Sequence, residues 1–141
     1  MKITAPWLTN PATQSVLVML TGAGHQALVV GGCVRNALMD VPVADIDIAT
    51  DALPTRVMAL AQTAGFRAIP TGIDHGTVTV VARGSAYEIT TFRADIDTDG
   101  RRAVVRFSDS IHDDARRRDF TINALYAAAD GTVVDLSLIH I

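Results

Sequence analysis

The sequence predicts an α/β (α+β) domain, a mixed β-sheet flanked by helices, and three observations carry that expectation. Short runs rich in Val, Ile and Thr recur along the chain, among them Ala27-Leu28-Val29-Val30, Thr77 to Ala82 and Tyr87 to Arg93, and such runs favour strands. Segments of helical period lie between some of them, as at Pro11 to Leu20 and Pro54 to Ala64. Glycine and proline punctuate the joints, at Gly22, Gly24, Gly31, Gly32, Pro42 and Gly65. This alternation points to a sheet with helices packed on it.

Taken in order, Pro11 to Leu20 is an amphipathic helix with Val16, Leu17 and Leu20 on one side, ended by Gly22 and Gly24. Ala27 to Val30 is a short buried strand. Gly31-Gly32 turns the chain into a short helix from Val34 to Met39, and Pro42 prevents its continuation. Ala44 to Ala49 is the second strand. Thr50 or Asp51 is placed to cap the helix from Pro54 to Ala64, which Gly65 closes. Phe66 to Pro70, Thr77 to Ala82 and Tyr87 to Arg93 are strands, with Gly84-Ser85 as the tight turn joining the last two. Asp95 to Asp109 is charged and poorly periodic and is expected to be a mobile loop. His112 to Ala128 is helical by pattern, in one or two pieces, and Thr132 to Asp135 is a last strand.

Bulk properties narrow the function. The 141 residues suffice for one domain with one core. The formal net charge of −3 excludes a chain that binds nucleic acid as a simple polycation, so any grip on RNA must be local. A single cysteine, Cys33, rules out an internal disulfide and fits a reducing compartment. No basic segment precedes an apolar run at the N-terminus, and no apolar run is long enough to cross a bilayer. The cytoplasm is the expected location, with no membrane partner, and nothing sets the oligomeric state. The final Leu136-Ser137-Leu138-Ile139-His140-Ile141 resembles the translation of a transposon end used in preparing sequencing libraries. It is read as a non-native tail, with the natural chain continuing after Asp135; a short apolar strand is the plainer alternative.

The sharpest chemical signal is Asp45-Ile46-Asp47-Ile48. Successive strand residues point to opposite faces, so the isoleucines can bury while Asp45 and Asp47 stand together on the other face. Two carboxylates this close repel unless a cation neutralises them, and oxygen ligands suit Mg²⁺. Asp-x-Asp alone is equally the pattern of a half-exposed acidic strand. The preceding Val29-Val30-Gly31-Gly32-Cys33-Val34-Arg35 shifts the balance. Its glycines let backbone N–H groups approach a phosphate, and Arg35 can add a forked positive charge; otherwise these are a plain turn and a solvated arginine. Together the two segments describe a triphosphate site beside a metal site.

A third carboxylate is Glu88, in Tyr87-Glu88-Ile89-Thr90-Thr91-Phe92-Arg93. Alternation groups Glu88 with Thr90 and Phe92, and Tyr87 with Ile89 and Thr91. If this strand lies beside the aspartate strand, Glu88 completes an acidic cluster. The fourth element is Arg116-Arg117-Arg118-Asp119-Phe120-Thr121-Ile122-Asn123-Ala124, where Asp119 and Asn123 share a helix face. Its arginines can hold a triphosphate and Asn123 can hydrogen-bond it or support the site, or the run is a solvated basic face partly neutralised by Asp113 and Asp114. Weaker candidates read as structural. Cys33 is a small hydrophobe, the four histidines lack metal-ligand spacing, Trp7 and Tyr126 pack, and Arg101, Arg102 and Arg106 belong to a solvated loop.

These four motifs, in this order, resemble the head domain of class II CCA-adding enzymes and bacterial poly(A) polymerases, over roughly residues 15 to 135. The resemblance implies a polymerase-β-like nucleotidyltransferase fold in a head spanning residues 1–135. It implies that Asp45 and Asp47 hold two Mg²⁺ ions, that Gly31, Gly32 and Arg35 bind the nucleotide, and that Arg117 or Arg118, with Asp119 and Asn123, contacts it too. Glu88 would support the metal site. The implied activity is template-independent addition of nucleotides from CTP or ATP to the 3′ end of tRNA or another RNA; alternatives are poly(A) addition or a nucleotide-binding module without catalysis. A Rossmann dehydrogenase does not fit, because Gly-x-Gly-x-x-Gly is missing. One departure is Asn36, where the family often has Asp, which puts a supporting hydrogen bond in doubt. The neck that chooses the nucleotide and the body and tail that hold tRNA are not in this sequence.

Overall fold

The computed structural model describes residues 2–38, 46–98, 102–117 and 125–135. Two helices open the chain, α1 (Pro6–Thr9) and α2 (Pro11–Thr21), separated by Asn10, whose side chain accepts from the Ala12 N–H at 2.9 Å. The next elements are β1 (Ala27–Val30), α3 (Gly32–Leu38), β2 (Ile46–Thr50) and α4 (Pro54–Thr63). They are followed by β3 (Arg67–Gly72), β4 (Thr77–Ala82) and β5 (Ser85–Thr91). The chain closes with β6 (Arg93–Thr98), β7 (Arg102–Phe107), α5 (Ile111–Arg117), β8 (Leu125–Ala127) and β9 (Val133–Asp135).

Seven strands form one sheet in the order β3-β4-β5-β2-β1-β8-β9, while β6 and β7 pair as a separate hairpin. Within the seven, β2 and β5 run parallel and the other neighbours antiparallel. A parallel pair needs a crossover, supplied by α4 and the β3–β4 hairpin. The expected mixed sheet flanked by helices is therefore the fold observed. Among the described residues no helix is long and apolar enough to cross a membrane.

Period-two alternation sorts the side chains into two layers. Val16, Leu17 and Leu20 of α2 and Val57 and Ala61 of α4 pack against Val29, Ile48, Val78, Val80, Tyr87 and Ile89 on one face. The opposite face carries a smaller cluster of Val30, Ala49, Phe92, Ala115 and Tyr126, covered by α5. Burying these side chains completely contributes roughly 1.5–3 kcal/mol for each large one.

Several expectations are corrected. Asp95 to Asp109 is not a loop: most of it forms the β6–β7 hairpin, from Arg93 opposite Phe107 to Thr98 opposite Arg102. Of the helix expected over His112 to Ala128, the described residues hold α5 at its start, whereas Leu125–Ala127 pairs with both β1 and β9 and is a strand; residues 118–124 lie outside the described residues. Those sheet hydrogen bonds override the helix preference of an alanine-rich segment. The tight turn is Arg83-Gly84 rather than Gly84-Ser85. Both residues have positive φ, 50° and 83°, as in a type I′ turn, and Ser85 already pairs with Ala82. Neither Thr50 nor Asp51 caps α4. Leu53 takes the cap position with no side-chain bond, and Pro54 starts the helix. Asp51 instead accepts from the Gln26 N–H at 2.9 Å. Finally, β5 spans Ser85–Thr91 and stops short of the expected Arg93, while Phe92 is buried in the smaller cluster on the sheet face that carries Glu88, as alternation grouped them. Residues 136–141 lie outside the described residues.

Candidate active site

Ile46 and Ile48 belong to the larger cluster, so alternation directs Asp47 between them to the opposite face. There Asp47 pairs with Glu88 in the parallel register of β2 and β5 and with Val30 of β1 on its other side. Adjacent strands place these Cα atoms about 5 Å apart. The row continues from Glu88 to Thr79 of β4 and from Val30 to Tyr126 and Val134. Asp47 is half-buried and Glu88 exposed. The sheet thus brings together the two expected carboxylates it describes. Asp45 lies outside the described residues. Among the described residues no three His, Cys, Asp or Glu side chains cluster as metal ligands. The donors that do converge, two carboxylates on one face, have the hard oxygen chemistry that Mg²⁺ takes.

The glycine turn is adjacent. Val30, the cross-strand partner of Asp47, leads directly into Gly31, which is buried with φ +78°. The Gly31 N–H donates to the Leu125 carbonyl at 3.1 Å, and its own carbonyl accepts from the N–H groups of Val34 and Arg35, both at 3.1 Å. That turn is pinned between β8 and α3 in a conformation that suits glycine. Gly32 opens α3, and a Cβ there would lie 3.7 Å from Arg35 Nη2, so the guanidinium folds over the turn. Arg35 Nε donates to Asn36 Oδ1 at 3.3 Å. The amide oxygen of Asn36 thus supplies one hydrogen bond to the guanidinium. Cys33 is buried and its thiol donates to the Val30 carbonyl at 3.3 Å. Burial pushes this thiol up, against a smaller opposing contribution from a hydrogen bond to the Asp47 backbone. Cys33 is thus a packing residue joining the turn to β2, as its sequence context implied.

Of the fourth motif, Arg117 is half-buried at the end of α5, while Arg118, Asp119 and Asn123 lie outside the described residues. Sequence reasoning missed Asp114. It treated this residue as part of a charge balance, yet Asp114 is 1% exposed, accepts from Tyr126 Oη at 2.8 Å and accepts from the Arg93 N–H at 3.1 Å. It fastens α5 to β8 and to the base of the hairpin. No local signal separates it from Asp113 beside it, because an aspartate in the first turn of a helix is ordinary.

Residues 27–137 match the family model described as the poly A polymerase head domain. A CCA-adding enzyme of Bacillus mycoides (strain KBAB4) is 46% identical over 124 residues, which is 86% of this chain and 30% of that protein. The crystal structure of the Bacillus stearothermophilus CCA-adding enzyme in complex with CTP superposes with a TM-score of 0.78 at 41% identity, covering 94% of this chain and 30% of that one. A tRNA nucleotidyltransferase complexed with a primer tRNA and an incoming ATP analogue matches with a TM-score of 0.64 at 27% identity, over 85% of this chain and 34% of that one. The chain spans about 30% of the length of the curated relatives it matches. With four ordered motifs, a shared fold and a family model covering residues 27–137, the chain belongs to the poly(A) polymerase head-domain family.

Proposed function

We propose that residues 1–135 are the catalytic head of a longer cytoplasmic RNA nucleotidyltransferase. It adds nucleotides from CTP and ATP to the 3′ end of tRNA without a template, and residues 136–141 are a non-native tail. The observation that carries this reading is the cross-sheet row in which Asp47 stands between Glu88 and the strand end leading into Gly31. A carboxylate pair beside a glycine turn and an arginine is what transfer of a nucleotide from a triphosphate requires. The names of the relatives, CCA-adding enzymes, one of them solved with CTP, support the substrate class.

In this reading Asp45 and Asp47 hold two Mg²⁺ ions, with Glu88 supporting them. The bound ions supply activation of the RNA 3′ hydroxyl and stabilisation of the pyrophosphate leaving group. Gly31 and Gly32 admit the triphosphate to the backbone. Arg35, with Arg117, Arg118, Asp119 and Asn123, orients it and offsets its charge. No side-chain nucleophile is needed, which agrees with the unreactive environment of Cys33.

The test uses the full-length protein with a tRNA lacking its 3′ CCA and labelled CTP and ATP. The expected result is addition of C, C and A by the wild type and none by Asp47→Ala. Retained incorporation by that variant overturns the assignment. The family model is named for poly(A) polymerases, so product length is the second readout: a long A tail with no C incorporation selects poly(A) addition instead.

A further inference from the structure

We propose that the cleft between the β6–β7 hairpin and the outer side of α5 is a groove for RNA backbone phosphates, gripping the polynucleotide beside the carboxylate site. This cleft of about 220 Å³ is lined by Ala94, Arg106, Asp113, Arg116 and Arg117. Arg106 and Arg116 line it with one carboxylate and with Arg117 beside them, in a chain whose net charge is −3, so the arginines are gathered locally and do not reflect composition. Asp113 is engaged elsewhere: its Oδ2 accepts from the Ser108 hydroxyl at 2.8 Å. Its ion pair with Arg116 is long, 3.9 Å, and the Arg116 side chain is 68% exposed. An exposed pair of that kind is worth little, so Arg116 can exchange it for a phosphate at small cost. Arginine suits the role because its planar fork matches two phosphate oxygens at once.

The walls are held at a set spacing. Ala94 lies directly opposite Arg106 in the hairpin, and its small side chain leaves room beside the guanidinium. The Arg93 N–H bond to Asp114 ties the hairpin base to α5, and the Tyr126 bond to Asp114 ties α5 to the sheet. Tyr126 belongs to the same cross-sheet row as Asp47 and Glu88. The groove therefore opens along the flank of the carboxylate-bearing face, on a different wall from the turn at Gly31 and Gly32. With Arg117 serving the triphosphate, Arg106 and Arg116 remain for the phosphates of a polynucleotide.

This inference rests on the reading of the chain as an RNA nucleotidyltransferase head, and the test separates the two. In the full-length protein, tRNA affinity is measured over a salt series for the wild type, Arg106→Gln/Arg116→Gln and Arg106→Lys/Arg116→Lys, with CTP affinity measured in parallel. The glutamine pair is expected to weaken tRNA binding about tenfold and to lower the slope of log affinity against log salt by about 1.5–2. CTP affinity is expected to stay unchanged, and the lysine pair to restore the salt slope but only part of the tRNA affinity, because a point charge replaces the fork. A wild type that incorporates nucleotides but whose tRNA affinity and salt slope ignore the glutamine pair overturns the groove alone. A fall in CTP affinity parallel to that for tRNA also overturns it, by making the cleft a triphosphate site. A wild type that binds no tRNA overturns both readings.

Discussion

Tyr126 Oη donates to Asp114 Oδ2 at 2.8 Å, with Tyr126 0% and Asp114 1% exposed, and this contact joins α5 to the second face of the sheet. Tyr126→Phe keeps the ring and removes the bond, leaving a buried carboxylate with one donor fewer. A hydrogen bond to a charged group contributes about 1.5–3 kcal/mol. Urea unfolding is expected to show a loss in that range, and a loss below about 0.5 kcal/mol would mean the carboxylate is satisfied without the phenol.

Asp47 and Glu88 are a like-charged cross-strand pair on one face. Such a pair destabilises a sheet by a few tenths of a kcal/mol to about 1 kcal/mol. In EDTA, Glu88→Gln is therefore expected to unfold at the same temperature as the wild type or slightly above it. Added Mg²⁺ reverses the order, raising the melting temperature of the wild type more than that of the variant, since a bound ligand stabilises the folded state that holds it. Equal responses to Mg²⁺ would remove Glu88 from the proposed metal site.

The same pair sets an activity prediction. Asp47→Asn in the full-length protein keeps the size of the side chain and deletes its charge. Loss of several kcal/mol of transition-state stabilisation corresponds to a fall on the order of a thousandfold in nucleotide incorporation. Glu88→Gln is expected to lose less, because Glu88 is exposed at the edge of the cluster. Single-turnover incorporation rates check both, and the ranking fails if Glu88→Gln is the more damaging.

Gly24 and Gly131 share a left-handed backbone, φ +89° and +91°, but not their surroundings. A Cβ on Gly24 meets nothing, whereas one on Gly131 collides with the Ile3 carbonyl oxygen. Gly131 also accepts from the Ile3 N–H at 2.8 Å, next to the bridge between Lys2 and Thr132. Gly24→Ala is expected to cost about 1 kcal/mol, the conformational part alone. Gly131→Ala adds overpacking and should cost about 2–5 kcal/mol in total. Thermal unfolding compares them, and similar melting temperatures would contradict the close approach of the N-terminal segment to Gly131.

Cys33 provides the pH prediction. Its thiol lies above the ordinary value because burial disfavours the thiolate. The folded protein therefore holds its proton after the unfolded chain has released one. Stability from this group is fully present at neutral pH and declines as pH rises past the ordinary thiol range. Iodoacetamide labelling is expected to be slow in native protein at pH 8 and fast in urea. The alkaline loss of stability should shrink in Cys33→Ala; rapid native labelling would show an accessible thiolate instead.

Much of this was legible locally. The period-two pattern around Asp47 required opposite faces for aspartate and isoleucine, and the observed clusters follow it. The short span Ala27–Val30 and the helix from Pro11 could be drawn from a few residues each, because capping, turn chemistry and amphipathicity act within a turn or two. Errors fell where a partner far along the chain decides. The segment Leu125–Ala127 has helix-favouring neighbours, yet it is a strand because β1 and β9 offer hydrogen bonds on both sides. The charged β6 and β7 looked like a loop because the period-two pattern in each is short and lies opposite charge in its partner, with Ala94 facing Arg106 and Asp95 facing Val105, so the hairpin is completed only when the two strands meet.

By itself the amino-acid sequence determined the inventory of the proposed site: the aspartate strand, the glycine turn with Arg35, the strand carrying Glu88 and the arginine run, each encoded in adjacent residues. Tertiary structure alone decided that Glu88 stands directly beside Asp47, that Val30 leads from that row into the turn, and that Asp114 is a buried tie and not surface charge. Strand register is set by hydrogen bonding between segments some forty residues apart, and no pattern within either segment contains it.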